Sequence, residues 1–470
     1  MLRGVALVVL ASTLVVARGQ EPPLPAGLAP FVTVNAPLIA LTHVRLVDGT
    51  GAPAREDQTI VLRDGRIDAA GPAASTTVPD GARVIDLSGH TVLPGIVGLH
   101  EHTYFGGVRQ MTQMRASGAP LYLAFGVTTA MTAGSQFPYQ ELNLKDRVDA
   151  GQLPGPRFLV TGPYLNGGPT RTAASRLVTT REEVRRVIAY WASEGATWFK
   201  FQGAVTRDVL KAGIDEAHAR GLRVTGHLCS VTFTEAAALG IDALQHGFIT
   251  NSDYVTGKTP DVCPPENMRV QADVDVASDA VQDSIRAIVN SGAAVVSTLG
   301  VYETFMPGRF TPDPRALEML APDVRREVEA AHAELATSPL TVPDRLLAKM
   351  MAWERAFVAA GGLLGAGSDP WGTGFLPGYG NLRNIELLVE AGFTFEEAVQ
   401  ISTFNGARIL GEDERIGSIA AGKRADLFVI RGNPVAAPRG IYDVVTVFKD
   451  GVGYDAARLR DAAKGKVGSS

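Results

Sequence analysis

The chain has 470 residues, enough for one barrel-sized core plus a satellite domain. Hydrophobic residues at 46% and charged residues at 20% exclude a disordered or fibrous chain. A formal net charge of −5 leaves no basic stripe for a phosphate backbone, which argues against nucleic acid and for a small-molecule partner.

The chain opens with Met1-Leu-Arg3, an apolar run from Gly4 to Val16, and the small-residue stretch Ala17-Arg-Gly19. These are the charged, apolar and cleavage regions of a secretory signal. The run falls short of the roughly 20 residues that cross a bilayer, so a cleaved signal over residues 1–19 is expected. The mature protein is then periplasmic or secreted and free of the membrane. Its sequence leaves the oligomeric state open, and a homo-oligomer is compatible with it.

Residues 37–93 consist of short β-branched runs and turns, with Arg63-Asp-Gly-Arg66 carrying a hairpin signal. Residues 412–456 repeat the style in Arg424-Ala-Asp-Leu-Phe-Val-Ile430 and Val444-Val-Thr-Val-Phe-Lys449. A small β-sandwich built from both termini is the simplest packing. Between them, residues 94–411 alternate eight apolar strand-like runs with helical spacing, for example Arg181 to Trp191 behind an N-cap at Thr180, and Arg207 to Arg220. Eight such units predict an α/β fold, a (β/α)8 TIM barrel with its active site at the C-terminal strand ends. The longest connections, 247–291 and 299–361, follow the sixth and seventh strands, where loops carry specificity. The second has helical spacing of its own, over 315–335 and 343–360, and reads as a lid.

Only two cysteines occur, Cys229 and Cys263. In an oxidising compartment they can pair, or remain two buried thiols; the sequence leaves both open.

The chemistry gathers at five strand ends. His100 and His102 alternate to one face of a strand, so both reach one cation. His227 and His246 each end an apolar run, where neutral imidazole suits zinc or a similar ion. Lys200, in Trp198-Phe199-Lys200-Phe201, is an ammonium in apolar surroundings; burial lowers its pKa and lets the amine take up carbon dioxide as a carbamate, able to bridge two cations. Asp369 follows Gly365-Ala-Gly-Ser368 and can ligate a metal and accept a proton. Two divalent cations, zinc by preference, would lower the pKa of a bridging water and polarise a scissile carbonyl. Glu101 points away from its two neighbours and reads as structural. Among loop residues, Tyr164, Tyr254, Lys258, Tyr302, Tyr379 and Arg383 are candidates to hold a substrate carboxylate or ring, with Asn166 and Trp371 beside them.

With these residues in view, the chain resembles the amidohydrolase superfamily: Pro94-Gly95-Ile-Val-Gly-Leu-His100-Glu-His102 matches its first-strand signature. The tail from Arg415 to Leu427 looks like its return into the sandwich and the stretch Ser402 to Gly411 like the helix before it, and the likeness runs from about Leu38 to Asp455. The resemblance implies His100 and His102 on a first metal, His227 and His246 on a second, Lys200 as a carboxylated bridge, and Asp369 as ligand and catalytic base. Gly98 departs from the pattern, since many members carry Asp there; the support that carboxylate gives must come from elsewhere. The pattern looks most like the imidazolonepropionase-like branch that includes dipeptidases. Mononuclear deaminases are disfavoured because Leu228-Cys-Ser230 follows His227 where they carry a glutamate. The implied activity is hydrolysis of an amide or peptide bond in a small substrate, a dipeptide or N-acyl amino acid. Alternatives are an esterase, lactonase or cyclic amidase using the same activated water, and a non-catalytic binding protein on the same barrel.

Overall fold

The computed structural model describes residues 23–106, 111–168, 175–337, 342–371 and 374–469. The expected export signal at 1–19 lies outside the described residues. The fold is mixed α/β. Eight parallel strands follow one another in chain order: β1 (Ile96–Glu101), β2 (Val127–Thr132), β3 (Arg157–Leu159), β4 (Trp198–Phe201), β5 (Arg223–Gly226), β6 (Ala243–Gln245), β7 (Ala294–Ser297) and β8 (Leu364–Ala366). Hydrogen-bonded pairing joins β1 to β2 to β3, and β4 through β8. A parallel bridge between Thr161 and Trp198 links the two groups. Beyond β8, the Asp369 N–H donates to the His100 carbonyl at 2.8 Å and brings the last strand back to the first. These are the eight runs expected from the sequence. They read as continuous apolar stretches because both faces are covered: β2, β4 and β7 are buried along their whole length.

The helices between them form where the 3.6-residue period allows. Arg181–Ser193 begins with a capping box, Thr180 accepting from the Glu183 N–H while Glu183 reaches back, and buries Val184, Val187 and Ile188 on one face. The helix expected over 315–335 is broken in two, Pro314–Leu317 and Pro322–Glu334. Pro322 lacks an N–H for a continuing helix, and the Ala321 N–H is instead given to Val467 of the C-terminal tail at 2.9 Å. Asp344–Ala359 follows as expected.

The terminal segments combine into one nine-stranded sheet. Leu427–Arg431 lies between His90–Pro94 and Val444–Lys449, so a block of C-terminal strands joins the N-terminal strands in one hydrogen-bonded surface. The hairpin expected at Asp64-Gly65 is present, with both residues at positive φ. The sheet is continuous rather than two separate layers, because Leu38–Leu46 pairs with three partners and branches it. It encloses its own apolar core, including Ile39, Leu41, Val92, Leu427 and Phe448.

Arg157 fastens this sheet to the strand circuit. Its guanidinium bonds the buried Asp426 at 3.2 Å and Asp450 at 3.0 Å, across two segments far apart in sequence. Arg157→Ala leaves the Asp426 carboxyl buried without its main partner and is expected to cost about 3 kcal/mol in chemical denaturation. A loss below about 1 kcal/mol would show that the sheet is held by apolar packing instead.

Candidate metal centre

Strand β1 carries an irregularity that aims the first two imidazoles. Ala130 pairs with Gly98 but Thr132 pairs with Glu101, so one extra residue bulges into β1. Leu99 packs with Met131, Trp198, Ala294 and Val296 inside the strand circuit. After the bulge His100 and His102 turn to a common centre, their rings 5.3 Å apart. Without the extra residue, strict alternation would set His100 on the opposite face from Leu99.

Asp369 stands at that centre. Its Oδ1 lies 3.1 Å from His102 Nε2 and 3.6 Å from His100 Nε2, and its Oδ2 lies 3.8 Å from His246 Nδ1. The ring of His246 is 4.5 Å from those of both His100 and His227. Asp369 and His246 both adopt left-handed backbone, at φ of 49° and 68°. Such strain persists only where the surroundings hold it, and here the His246 N–H is fixed by the Val296 carbonyl at 3.0 Å. Gly367 allows the close approach, since a Cβ there would meet the His100 backbone nitrogen at 2.4 Å.

Burial and mutual charge set the protonation states. Lys200 is buried, and desolvation brings its amine down to about 7 against the opposing pull of Asp369. Desolvation also pushes His227 down to about 4 and His100 and His246 well below the usual imidazole range, with the Lys200 charge adding to each shift. These three histidines are therefore neutral at pH 7, the form a cation takes as a ligand.

The donor set fits a divalent cation. Ligand atoms of His100, His102 and Asp369 all lie within 4.8 Å of one another. The His100 Nδ1–H donates to Gln245 Oε1 at 2.6 Å, and Gln245 Nε2 donates to Thr225 at 2.7 Å, which leaves the His100 Nε2 lone pair free. His246 Nδ1 is held by the Thr298 hydroxyl at 2.8 Å. The buried Nδ1 of His102 has no hydrogen-bond partner among the described residues.

Glu101 fills the space expected for an acid at position 98. A Cβ on Gly98 would lie 2.2 Å from Glu101 Oε1, so the bulge brings this carboxyl into the place a residue-98 side chain would take. It accepts from the Ser368 N–H at 3.2 Å, the Ser368 hydroxyl and Asn381 Nδ2 at 2.6 Å, and burial raises its pKa to about 7. It thereby ties β1 to the turn bearing Asp369.

Of the six loop candidates, two lie at the centre. The Tyr164 hydroxyl is 3.5 Å from His102 Nε2, and the Tyr302 ring lies 5.5 Å from that of His246. The other four are engaged elsewhere. Tyr254 bonds Ser284 at 2.7 Å and Trp353 at 3.0 Å, and Lys258 donates to the Ser230 carbonyl. Tyr379 stacks on Tyr442 at 4.8 Å, while Arg383 forms a two-point pair with the buried Glu303 and reaches Glu386 at 3.0 Å. Asn166 is likewise spent on local backbone, bonding Gly168 and Ala204 at 3.0 Å. Trp371 packs against a small apolar cluster and approaches Gly106 at the rim. Sequence reading missed Tyr104, which stacks on His102 at 4.7 Å and shares a 2.6 Å hydrogen bond with Tyr164. Its place two residues beyond His102 was a usable signal. Cys229 and Cys263 form a disulfide, pinning the connection after β6 beside His227.

The sequence profile of the amidohydrolase family matches residues 343–453. Imidazolonepropionase of Rhizobium rhizogenes is 27% identical over 316 residues, covering 62% of this chain and 75% of that protein. Among solved structures, one named "putative prolidase" from Bifidobacterium longum superposes with a TM-score of 0.65 at 27% identity, over 91% of this chain and 98% of that one. These likenesses together support the amidohydrolase superfamily. A bottromycin amidohydrolase, 21% identical, shares the fold with a TM-score of 0.68 over 95% of each chain. The same likenesses support a hydrolase acting on carbon–nitrogen bonds.

Gln245→Leu keeps the volume and removes the acceptor that orients His100. It is expected to lower metal affinity about 10- to 100-fold in equilibrium dialysis, with an unchanged circular dichroism spectrum. Unaltered affinity would reduce Gln245 to a packing role.

Proposed function

We propose that the protein is an exported binuclear amidohydrolase that cleaves an amide or peptide bond in a small substrate, a dipeptide or N-acyl amino acid. The observation that carries the reading is the convergence of three imidazoles on the Asp369 carboxylate, with His227 and Lys200 near enough to feel its charge. In this reading the eight parallel strands form a (β/α)8 barrel and present these residues at its mouth. His100 and His102 would hold one cation and His227 and His246 a second, with Lys200, as a carbamate, an anionic ligand for both. Zinc suits the imidazole donors. Two such ions would supply Lewis acidity toward the scissile carbonyl and lower the pKa of water.

The chain's own groups do the remaining work. Asp369 accepts the proton of the attacking water and returns it to the leaving nitrogen. Tyr104, Tyr164 and Tyr302 wall the centre, and burial holds all three hydroxyls protonated; one proton of the Tyr104–Tyr164 pair is shared between them, which leaves the other member and Tyr302 to donate to a substrate oxygen or nitrogen. Lys200 becomes a bridge only if its amine is neutral, and the value of about 7 makes that form available at physiological pH. The Cys229–Cys263 disulfide supports export, because such pairs persist in oxidising compartments. The Bifidobacterium longum relative bearing the name prolidase favours peptide bonds next to proline within the substrate panel.

The test is amino acid release from dipeptides, proline dipeptides included, and N-acyl amino acids. The mature protein is reconstituted with zinc in bicarbonate and compared with a chelated control. Metal-dependent release is expected; silence across the panel with metal bound would move the activity to esters, lactones or cyclic amides. Lys200→Ala and Asp369→Ala should each abolish nearly all turnover, the first with loss of bound metal, and normal rates in either would overturn its role. Reactivation of protein stripped of carbon dioxide should speed up as pH rises through about 7, because only the neutral Lys200 amine adds carbon dioxide.

A further inference from the structure

A cavity of about 280 Å³ lies where the connection after β7, the C-terminal helix Ala456–Ala463 and the terminal sheet meet. None of its lining residues belongs to the metal centre. Phe125, Tyr379 and Tyr442 give it aromatic walls, and Arg315, Arg431 and Arg460 bring three guanidiniums to it. The two tyrosine rings stack at 4.8 Å. Their hydroxyls are taken, Tyr442 donating to Glu386 at 2.7 Å and Tyr379 bonding Asp313, so the cavity meets the rings rather than their polar ends.

The cations are unequally satisfied. Arg315 is matched by Asp313, with Nε and Nη2 at 3.0 and 2.9 Å from its two oxygens. Arg460 is half-buried, lies over the Phe125 ring at 5.8 Å, and has one hydrogen bond among the described residues, a 3.3 Å contact to the Val444 carbonyl. Its guanidinium carries five N–H donors, so most of its capacity is unmet. Burial and the neighbouring Arg315 charge both push its pKa down, the mark of a cation placed at electrostatic cost. Arg431 adds a second guanidinium, and its backbone N–H bonds the Asp443 carbonyl at 3.0 Å. Among the described residues the Asp443 carboxylate is the one acid in the cavity lining, so with Arg315 neutralised the lining keeps an excess of positive charge.

We propose that this cavity is a binding site for a small organic anion, a carboxylate or phosphate ester carried on an aromatic ring. The oxyanion pairs with Arg460 and Arg431 through charge-assisted hydrogen bonds, and the ring packs among Phe125, Tyr379 and Tyr442. A ligand there joins the terminal sheet, the C-terminal helix and the connection that carries Tyr302, so it stabilises the contact among the three.

The probes are phenyl phosphate and benzoate, with inorganic phosphate and benzyl alcohol as the charge-only and ring-only arms, titrated calorimetrically into the zinc-loaded full chain. Saturable one-to-one binding of phenyl phosphate or benzoate is expected, with both control arms at least about tenfold weaker, and the two ring-bearing probes tell carboxylate from phosphate. Arg460→Gln and Arg431→Gln should each weaken binding about tenfold, while Lys200→Ala, compared with the unsubstituted chain in the absence of zinc, should leave it unchanged. Arg431 is exposed, so its variant carries the test if Arg460→Gln does not fold. Absence of binding, equal binding of inorganic phosphate, or binding that survives both arginine variants and disappears in Lys200→Ala would overturn the proposal.

Discussion

The Asp369 carboxylate is the group on which the centre depends. Three imidazoles from two strand ends lie within 3.1 to 3.8 Å of its two oxygens, and a buried ammonium stands near enough to feel its charge. Away from water, so many basic groups cannot all be protonated. The cluster resolves this by holding His100, His227 and His246 neutral and bringing Lys200 to the edge of deprotonation. Neutral nitrogen donors around one carboxylate are what a borderline cation requires. The same burial that would destabilise the cluster as a set of charges prepares it as a set of ligands.

Much of the surrounding structure keeps this arrangement in place. The bulge in β1 aims His100 and His102 inward and moves Glu101 into the room left by Gly98. Glu101 then binds the Ser368 turn, which holds Asp369 in left-handed backbone. Gln245 and Thr298 fix two imidazole rings from behind. Each support comes from a different strand, so the geometry is a property of the closed set rather than of any one loop. Farther out, Arg157 couples the strand circuit to the terminal sheet, and the Cys229–Cys263 disulfide anchors the connection beside His227.

The tyrosines divide the molecule into two chemical regions. Tyr104, Tyr164 and Tyr302 surround the metal ligands with hydroxyls that burial keeps protonated. Tyr379 and Tyr442 instead surrender their hydroxyls to acids and present stacked rings at the arginine-lined cavity. One residue type therefore serves hydrogen-bond donation in the first place and ring packing in the second, according to which partner its oxygen meets.

The sequence by itself determined the order of eight strands, the helices between them, and the six ligand candidates at strand ends. All of these follow from short-range patterns: apolar runs, period-3.6 spacing, and polar residues where a run stops. The hairpin at Asp64-Gly65 and the cap at Thr180 were legible for the same reason. Only the tertiary structure decided which polar groups are consumed by distant partners. Arg383 looks free in sequence, yet Glu303, 80 residues away, takes its guanidinium; Lys258 is spent on the Ser230 carbonyl, and Tyr254 on Ser284 and Trp353. The disulfide, the substitution of Glu101 for an acid at position 98, and the break at Pro322 where the C-terminal tail pairs also needed folded neighbours. Local pattern specifies where a side chain emerges, whereas its hydrogen-bond partners and its charge are set by whatever long-range packing brings against it.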